Sequence, residues 1–158
     1  MIKQDKWVIF DLDGTLADIE ARRKLATKPT GKMDWDIFFA PQLIALDSPN
    51  MPVIEMAKTL AEKYNIAILS GRSKATKAVT KDWLDKHGVT YNVLKMRPTD
   101  NKWKFMPDDK LKKIWLDELF PGDSKKLDIV CVFDDRQKVV DMWRENGLTC
   151  MQVAPGNF

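Results

Sequence analysis

The sequence predicts an α/β fold: a Rossmann-like parallel sheet with helices on both faces. Two observations carry that expectation. Short apolar runs, each the length of a buried strand, recur along the chain, and stretches with helical spacing separate them. The runs end in breakers or polar clusters: DLDGT after residues 7–10, SGR after 66–69 and DDR after 128–133. Such alternation gives parallel strands joined by crossover helices, with ligands beyond the carboxyl ends of the strands.

Taken in order, residues 7–10 form a strand, and Gly14 permits the turn that follows it. Residues 22–48 mix charge, two prolines and the aromatics Trp35, Phe38 and Phe39 with weak periodicity, and are expected to form a small cap inserted over the strand end. Asn50 is expected to cap a helix over 52–64, followed by a strand over 66–69 and the breaker Ser70-Gly71. A helix over 74–87 ends at Gly88, and 91–94 reads as the third strand. Residues 95–107 are basic and irregular; a helix follows over 108–119, then the Pro121-Gly122 break. The pattern closes with a strand over 128–133, a helix over 137–146 ended by Gly147, and a strand over 149–153. This is one domain, residues 1–158, without repeats or a linker.

At 158 residues the chain can bury roughly two-thirds of its unfolded surface, enough for a core without staples. Its apolar runs are too short for a bilayer span, and no signal-peptide core precedes the charged segment after Leu16, so a soluble, cytoplasmic protein without membrane contact is expected. Cys131 and Cys150 sit in strand-like stretches without zinc spacing and are expected to be buried thiols. His87, the lone histidine, precedes a helix-ending glycine, which suits a capping or surface role. The net charge of +3 conceals basic stretches at 22–32, 72–81 and 95–113 that suit a polyanionic partner.

The polar residues with chemical potential follow three predicted strands: Asp11 and Asp13, then Ser70 and Arg72, then Asp134 and Asp135. In a parallel sheet these ends converge. Asp11 and Asp13, two positions apart, leave an extended backbone on the same side. Together with Asp134 and Asp135 they form an oxygen-only ligand set of the kind that holds a hard cation such as Mg²⁺.

DLDGT at 11–15 resembles the first motif of the haloacid dehalogenase superfamily. Ser70 after its strand resembles the second motif, a lysine near 112 the third, and Asp134-Asp135 the fourth. The resemblance covers nearly the whole chain. It implies that Asp11 attacks phosphorus to form an aspartyl-phosphate, while Asp13 protonates the leaving oxygen and later activates water. It also implies that Ser70, Lys112 and the loop after Asp11, Thr15 included, hold phosphoryl oxygens, with Asp11, Asp13, Asp134 and Asp135 around Mg²⁺. Lys110 is the alternative to Lys112, and Asp108, one turn before Lys112, is placed to pair with it.

A narrower likeness lies in SGR at 70–72 and in FDDRQKVVDMWRENGLTCMQVAPGNF at 133–158, which are similar to the 3′-phosphatase domain of bacteriophage polynucleotide kinase and its relatives. It implies that Gly71, Arg72 and Arg97 meet the substrate phosphate or its neighbours, and that the substrate is a nucleic acid 3′-phosphate end, DNA or RNA. Trp143 and Met142 read as core contacts of an amphipathic helix. No G-x-x-x-x-G-K-[ST] occurs, so a phosphatase domain without the kinase half, and without an obligate protein partner, is expected. A 5′-nucleotidase or other small-molecule phosphatase would share every catalytic residue. A non-catalytic nucleic-acid-binding module would need broken motifs, and these are intact.

Overall fold

In the computed structural model, which describes residues 3–156, the elements are β1 (Trp7–Phe10), β2 (Ala17–Asp18), α1 (Glu20–Ala26), α2 (Trp35–Phe38), α3 (Pro41–Ile44), β3 (Ser48–Pro49), α4 (Met51–Ala61), β4 (Asn65–Ser73), α5 (Lys77–Lys86), β5 (Val93–Arg97), α6 (Asn101–Lys104), α7 (Asp108–Leu119), α8 (Gly122–Lys126), β6 (Ile129–Asp134), α9 (Gln137–Glu145) and β7 (Cys150–Gln152). The main sheet runs β5-β4-β1-β6-β7 with every neighbouring pair parallel. The chain builds outward from β1 in one direction, then crosses over to build in the other. The crevice at the carboxyl end of β1 is therefore the topological switch point. Phe158, part of the C-terminal likeness, lies outside the described residues.

Period-two alternation divides the core between the two faces of the sheet. Val8, Phe10, Ile66, Ile68, Cys131 and Phe133 face the layer containing α4 and α5. Ile9, Ala67, Leu69, Val132 and Cys150 face α7 and α9. Both cysteines are buried free thiols, as the sequence predicts, and burial pushes the Cys150 thiol up to about 12. Phe10 and Phe133 stack across adjacent strands, with centroids 4.6 Å apart. Helix α9 buries Val139, Val140, Met142 and Trp143, the i, i+1, i+3, i+4 stripe that its sequence spells out.

Several local expectations shift. The third strand is Val93–Arg97 rather than 91–94, because Asn92 uses its side chain to accept from the Ile66 amide and so starts the strand later. Asn50 stands at the N-cap of α4, yet its side chain does not cap the helix; its Nδ2 donates instead to the Thr15 carbonyl. The 74–87 helix opens as a 3₁₀ turn, Lys74–Thr76, before α5, and Gly88 at φ 72 closes it. His87 is the C-cap residue, half-buried with its ring 4.4 Å from that of Trp83. Residues 95–107 are less irregular than their composition suggests, holding the end of β5 and α6. No helix among the described residues is long and apolar enough to cross a membrane.

Candidate active site

Strand β1 delivers Asp11 to the switch point, where its backbone N–H donates to the Phe133 carbonyl of β6 at 2.9 Å. The next strand over, β6, ends at Asp134, and Asp135 follows. Ligand oxygens of Asp11, Asp134 and Asp135 lie within 4.8 Å of one another, and all three residues are buried. The donor set is all carboxylate, buried and short of compensating positive charge. Burial, reinforced by the neighbouring carboxylates, pushes the Asp11 carboxyl well above the usual range; burial also raises Asp135. A hard divalent cation fits such a set, and when bound it supplies charge neutralisation between anionic groups. Gly14 belongs to the same cradle: at φ 81 it turns the loop, and a Cβ there would sit 2.2 Å from Asp135 Oδ2.

Lys112, on α7 and only 2 % exposed, reaches Asp11 Oδ1 at 2.7 Å and Asp134 Oδ2 at 3.0 Å. Burial works against its charge, but the Asp11 and Asp134 carboxylates outweigh burial and hold the ammonium protonated well above the ordinary lysine range. Lys110 is exposed on the same helix. The expected Asp108–Lys112 pairing is replaced: the Asp108 carboxylate is engaged by Arg97 and by Arg136. Lys112 turns to the aspartates at the strand ends, whose charges offset its burial.

Thr15 Oγ1 is 3.1 Å from Asp11 Oδ2 and 3.3 Å from Asp135 Oδ1; its single proton serves one at a time. Trp143 is a core residue as expected, and its indole N–H also donates to Asp134 Oδ2 at 3.1 Å. Ser70 is buried near the carboxyl end of β4, where its Oγ accepts from the Arg72 amide at 3.2 Å.

Asp13 departs from the expected shared side. The turn after Leu12 carries its carboxylate away from the other three and into a cationic pocket. Arg72 donates to Asp13 Oδ1 through Nε (2.9 Å) and Nη2 (2.6 Å), and Arg22 Nη2 reaches the same oxygen at 2.7 Å. Burial pulls its pKa up, but Arg72 and Arg22 together prevail and hold it below the ordinary value. The side chain of Asp13 is thus not among the clustered metal-ligand oxygens.

Arg72 and Arg97 are likewise occupied. Arg72 is fully buried between Asp13, Asp47 and the Thr80 hydroxyl. Arg97 donates to the carbonyls of Gly71 (3.1 Å), Trp103 (2.6 Å) and Met106 (2.7 Å) and pairs with Asp108. Both guanidiniums organise the loops around the crevice; neither is held out toward it as a free phosphate ligand.

Sequence reasoning missed Arg22 and Asp47. Arg22, from α1, holds Asp47 through Nε and Nη2 and donates Nη1 to the Phe38 carbonyl. Asp47 accepts from Arg72 as well, and its carbonyl accepts from Trp83 Nε1 at 2.9 Å, which ties residues 22–48 to α5. A lone arginine in a basic run and an aspartate before a strand carry no local signal for a pairing 25 residues apart. A cleft of about 470 Å³ opens beside Asp135, bounded by Gly14, Asp18, Arg23, Asn50 and Pro155.

The family model for the polynucleotide kinase PNKP phosphatase domain matches residues 5–158. A protein of Autographa californica nuclear polyhedrosis virus named "Putative bifunctional polynucleotide kinase/RNA ligase" is 32% identical over 142 residues, which is 87% of this chain and 18% of that protein. A chain in a structure of the Pnkp1/Rnl/Hen1 RNA repair complex superposes with a TM-score of 0.77 and 33% identity, covering 97% of this chain and 44% of that one. The chain thus spans under half the length of these relatives. The haloacid dehalogenase-like hydrolase SP0104 from Streptococcus pneumoniae, at TM-score 0.61 and 14% identity over 93% of this chain and 83% of that one, shares the fold.

Proposed function

Because the chain belongs to the phosphatase-domain family of polynucleotide kinase PNKP, and is a phosphatase of haloacid dehalogenase type, we propose that it hydrolyses the terminal 3′-phosphate of a polynucleotide with Mg²⁺ as cofactor. One observation supports the chemistry above the others: the two motif carboxylates are separated by environment. Asp11 sits among Lys112, Thr15 and the carboxylates of β6, whereas Asp13 is held by two arginines. Two carboxyl groups in divergent surroundings suit two roles.

In this reading an Asp11 oxygen attacks phosphorus as the bond to the 3′-oxygen breaks; Asp13 is the acid for that oxygen only once it has left Arg72 and Arg22 and taken up a proton, since in their grip it is held ionised. Asp13 then takes a proton from the water that attacks the aspartyl-phosphate, releasing phosphate and restoring Asp11. Lys112 stays charged beside the reacting carboxylate, and the Ser70 hydroxyl and the loop amides after Asp11 meet phosphoryl oxygens. Asp11, Asp134 and Asp135 would hold the metal. Residues 22–48 act as a small cap, fastened by Arg22 and Asp47.

The test compares a 3′-phosphorylated oligonucleotide, its 5′-phosphorylated isomer and nucleoside 5′-monophosphates at equal concentration. Faster hydrolysis of the 3′-phosphorylated end is expected. Preference for the free nucleotides would establish a nucleotidase instead.

A further inference from the structure

We propose that Trp35 forms a nucleobase-stacking subsite beside the proposed phosphate site, taking a base of the strand that bears the scissile 3′-phosphate; this rests on the polynucleotide reading above. Trp35 stands on α2 with 61% of its surface exposed, which is unusual for so large an indole. One of its faces is backed by Phe39, whose ring is 5.9 Å away and nearly parallel at 18°, and Phe38 meets its edge at 5.7 Å and 90°. The other face is left to solvent, and a flat π surface supported from behind is what a base stacks on regardless of its identity.

The platform is fixed relative to the chemistry. Phe38 lies under the Arg22 guanidinium at 4.5 Å and gives its carbonyl to Arg22 Nη1 at 2.6 Å, while the same guanidinium holds Asp13. Trp35 is thus joined through Phe38 to the guanidinium that grips Asp13. The α2 backbone is tied down at its start: Asp34 Oδ1 accepts from the amides of Asp36 (3.1 Å) and Ile37 (3.2 Å), and the Asp34 amide donates to the Ala26 carbonyl (2.7 Å). Exposed Lys24, Lys28 and Lys32 on the preceding segment supply positive charge for a backbone, whereas Asp34 and Asp36 beside the indole disfavour a phosphate there. That distribution favours a base over Trp35 with its phosphates toward the lysines.

The experiment compares Trp35→Ala and Trp35→Phe with wild type on 3′-phosphorylated oligonucleotides whose terminal nucleotide either carries a base or is abasic. A stacked base contributes ~1–3 kcal/mol, so KM for the base-bearing end is expected to rise roughly 5- to 150-fold in Trp35→Ala. Trp35→Phe should recover most of it, kcat should hold, and the abasic end should show little difference between variants. Equal KM for wild type and a folded Trp35→Ala on the base-bearing end overturns the subsite. The exposed indole would then be a contact for a protein partner, together with exposed Leu25 and Ile37. If wild type hydrolyses neither oligonucleotide, the polynucleotide reading itself fails.

Discussion

Arg72 places both Nε and Nη2 on a single oxygen of Asp13, at 2.9 and 2.6 Å, with its guanidinium shielded from solvent. A buried pair of this kind is costly to break because one charge is left without its partner. Arg72→Ala is therefore expected to lower unfolding free energy by about 3–5 kcal/mol in urea titrations. Arg72→Lys should recover little, since an ammonium cannot present two parallel donors. A loss below about 1 kcal/mol, the scale of an exposed pair, would show that the grip is not maintained in solution.

The same pairing fixes a pH dependence. The folded-state pKa of Asp13 lies below its unfolded value. The stabilisation is therefore complete above the unfolded carboxylate range and is lost as pH falls through the depressed folded value. Wild type should exceed Asp13→Asn in stability at pH 7, and the gap should narrow steadily as the medium is acidified below about pH 4. A gap that stays constant or widens on acidification contradicts the assignment.

Metal removal should act on stability as well as turnover. The carboxyls of Asp11 and Asp135 are raised by burial and then by the neighbouring Asp134 carboxylate, so ionising them at neutral pH costs folding energy until a cation joins them. Mg²⁺ should stabilise wild type by about 2.7 kcal/mol at a hundredfold excess over Kd, read as a rise in melting temperature. EDTA should reverse this and silence catalysis. Asp135→Asn should lose most of the Mg²⁺ response; full activity after thorough chelation would remove the metal from the account.

Gly156 packs against the backbone of the acidic motif: a Cβ there would come within 2.2 Å of the Asp135 carbonyl oxygen and 2.6 Å of Arg136 Cα. Its own carbonyl accepts from the Gln137 amide at 2.9 Å, so the C-terminal segment latches the Asp135 loop. Gly156→Ala should cost about 1–3 kcal/mol through overpacking and should weaken Mg²⁺ binding as Asp135 is displaced. Calorimetric titration with Mg²⁺ checks this, and an unchanged Kd in the variant counts against the latch.

The strands and helices of the sheet were legible because each buried run is bounded by a breaker, and because Asp11, Asp134 and Asp135 follow strands that the parallel topology forces together. The spacing that favours Lys112 over Lys110, a pairing with Asp108 one turn before it, is not what the structure uses: Lys112 is buried against Asp11 and Asp134 while Lys110 lies in water. What could not be read was long-range pairing. The likeness implies phosphate contact for Arg97, yet its partners are three backbone carbonyls, which leave no trace in side-chain chemistry, and the Asp108 carboxylate 11 residues on. The helices around residues 22–48 are four to seven residues long, too short to display a period, so the Arg22–Asp47 pairing and its link to Arg72 on β4 leave no signal in the sequence. Alternation puts Asp13 on the side of Asp11 only where the backbone is extended, and here the chain turns after Leu12.

The central claim, that Asp11 is the nucleophile, is tested most directly by acid-quenched single turnover with an oligonucleotide carrying a radiolabelled 3′-phosphate. Label should appear transiently on the protein, in the peptide containing Asp11, and then leave as inorganic phosphate. A folded Asp11→Asn protein should neither acquire label nor turn over. Retention of more than about a few per cent of the wild-type rate in that variant, against the millionfold or greater acceleration expected of an intact phosphatase, would contradict the assignment.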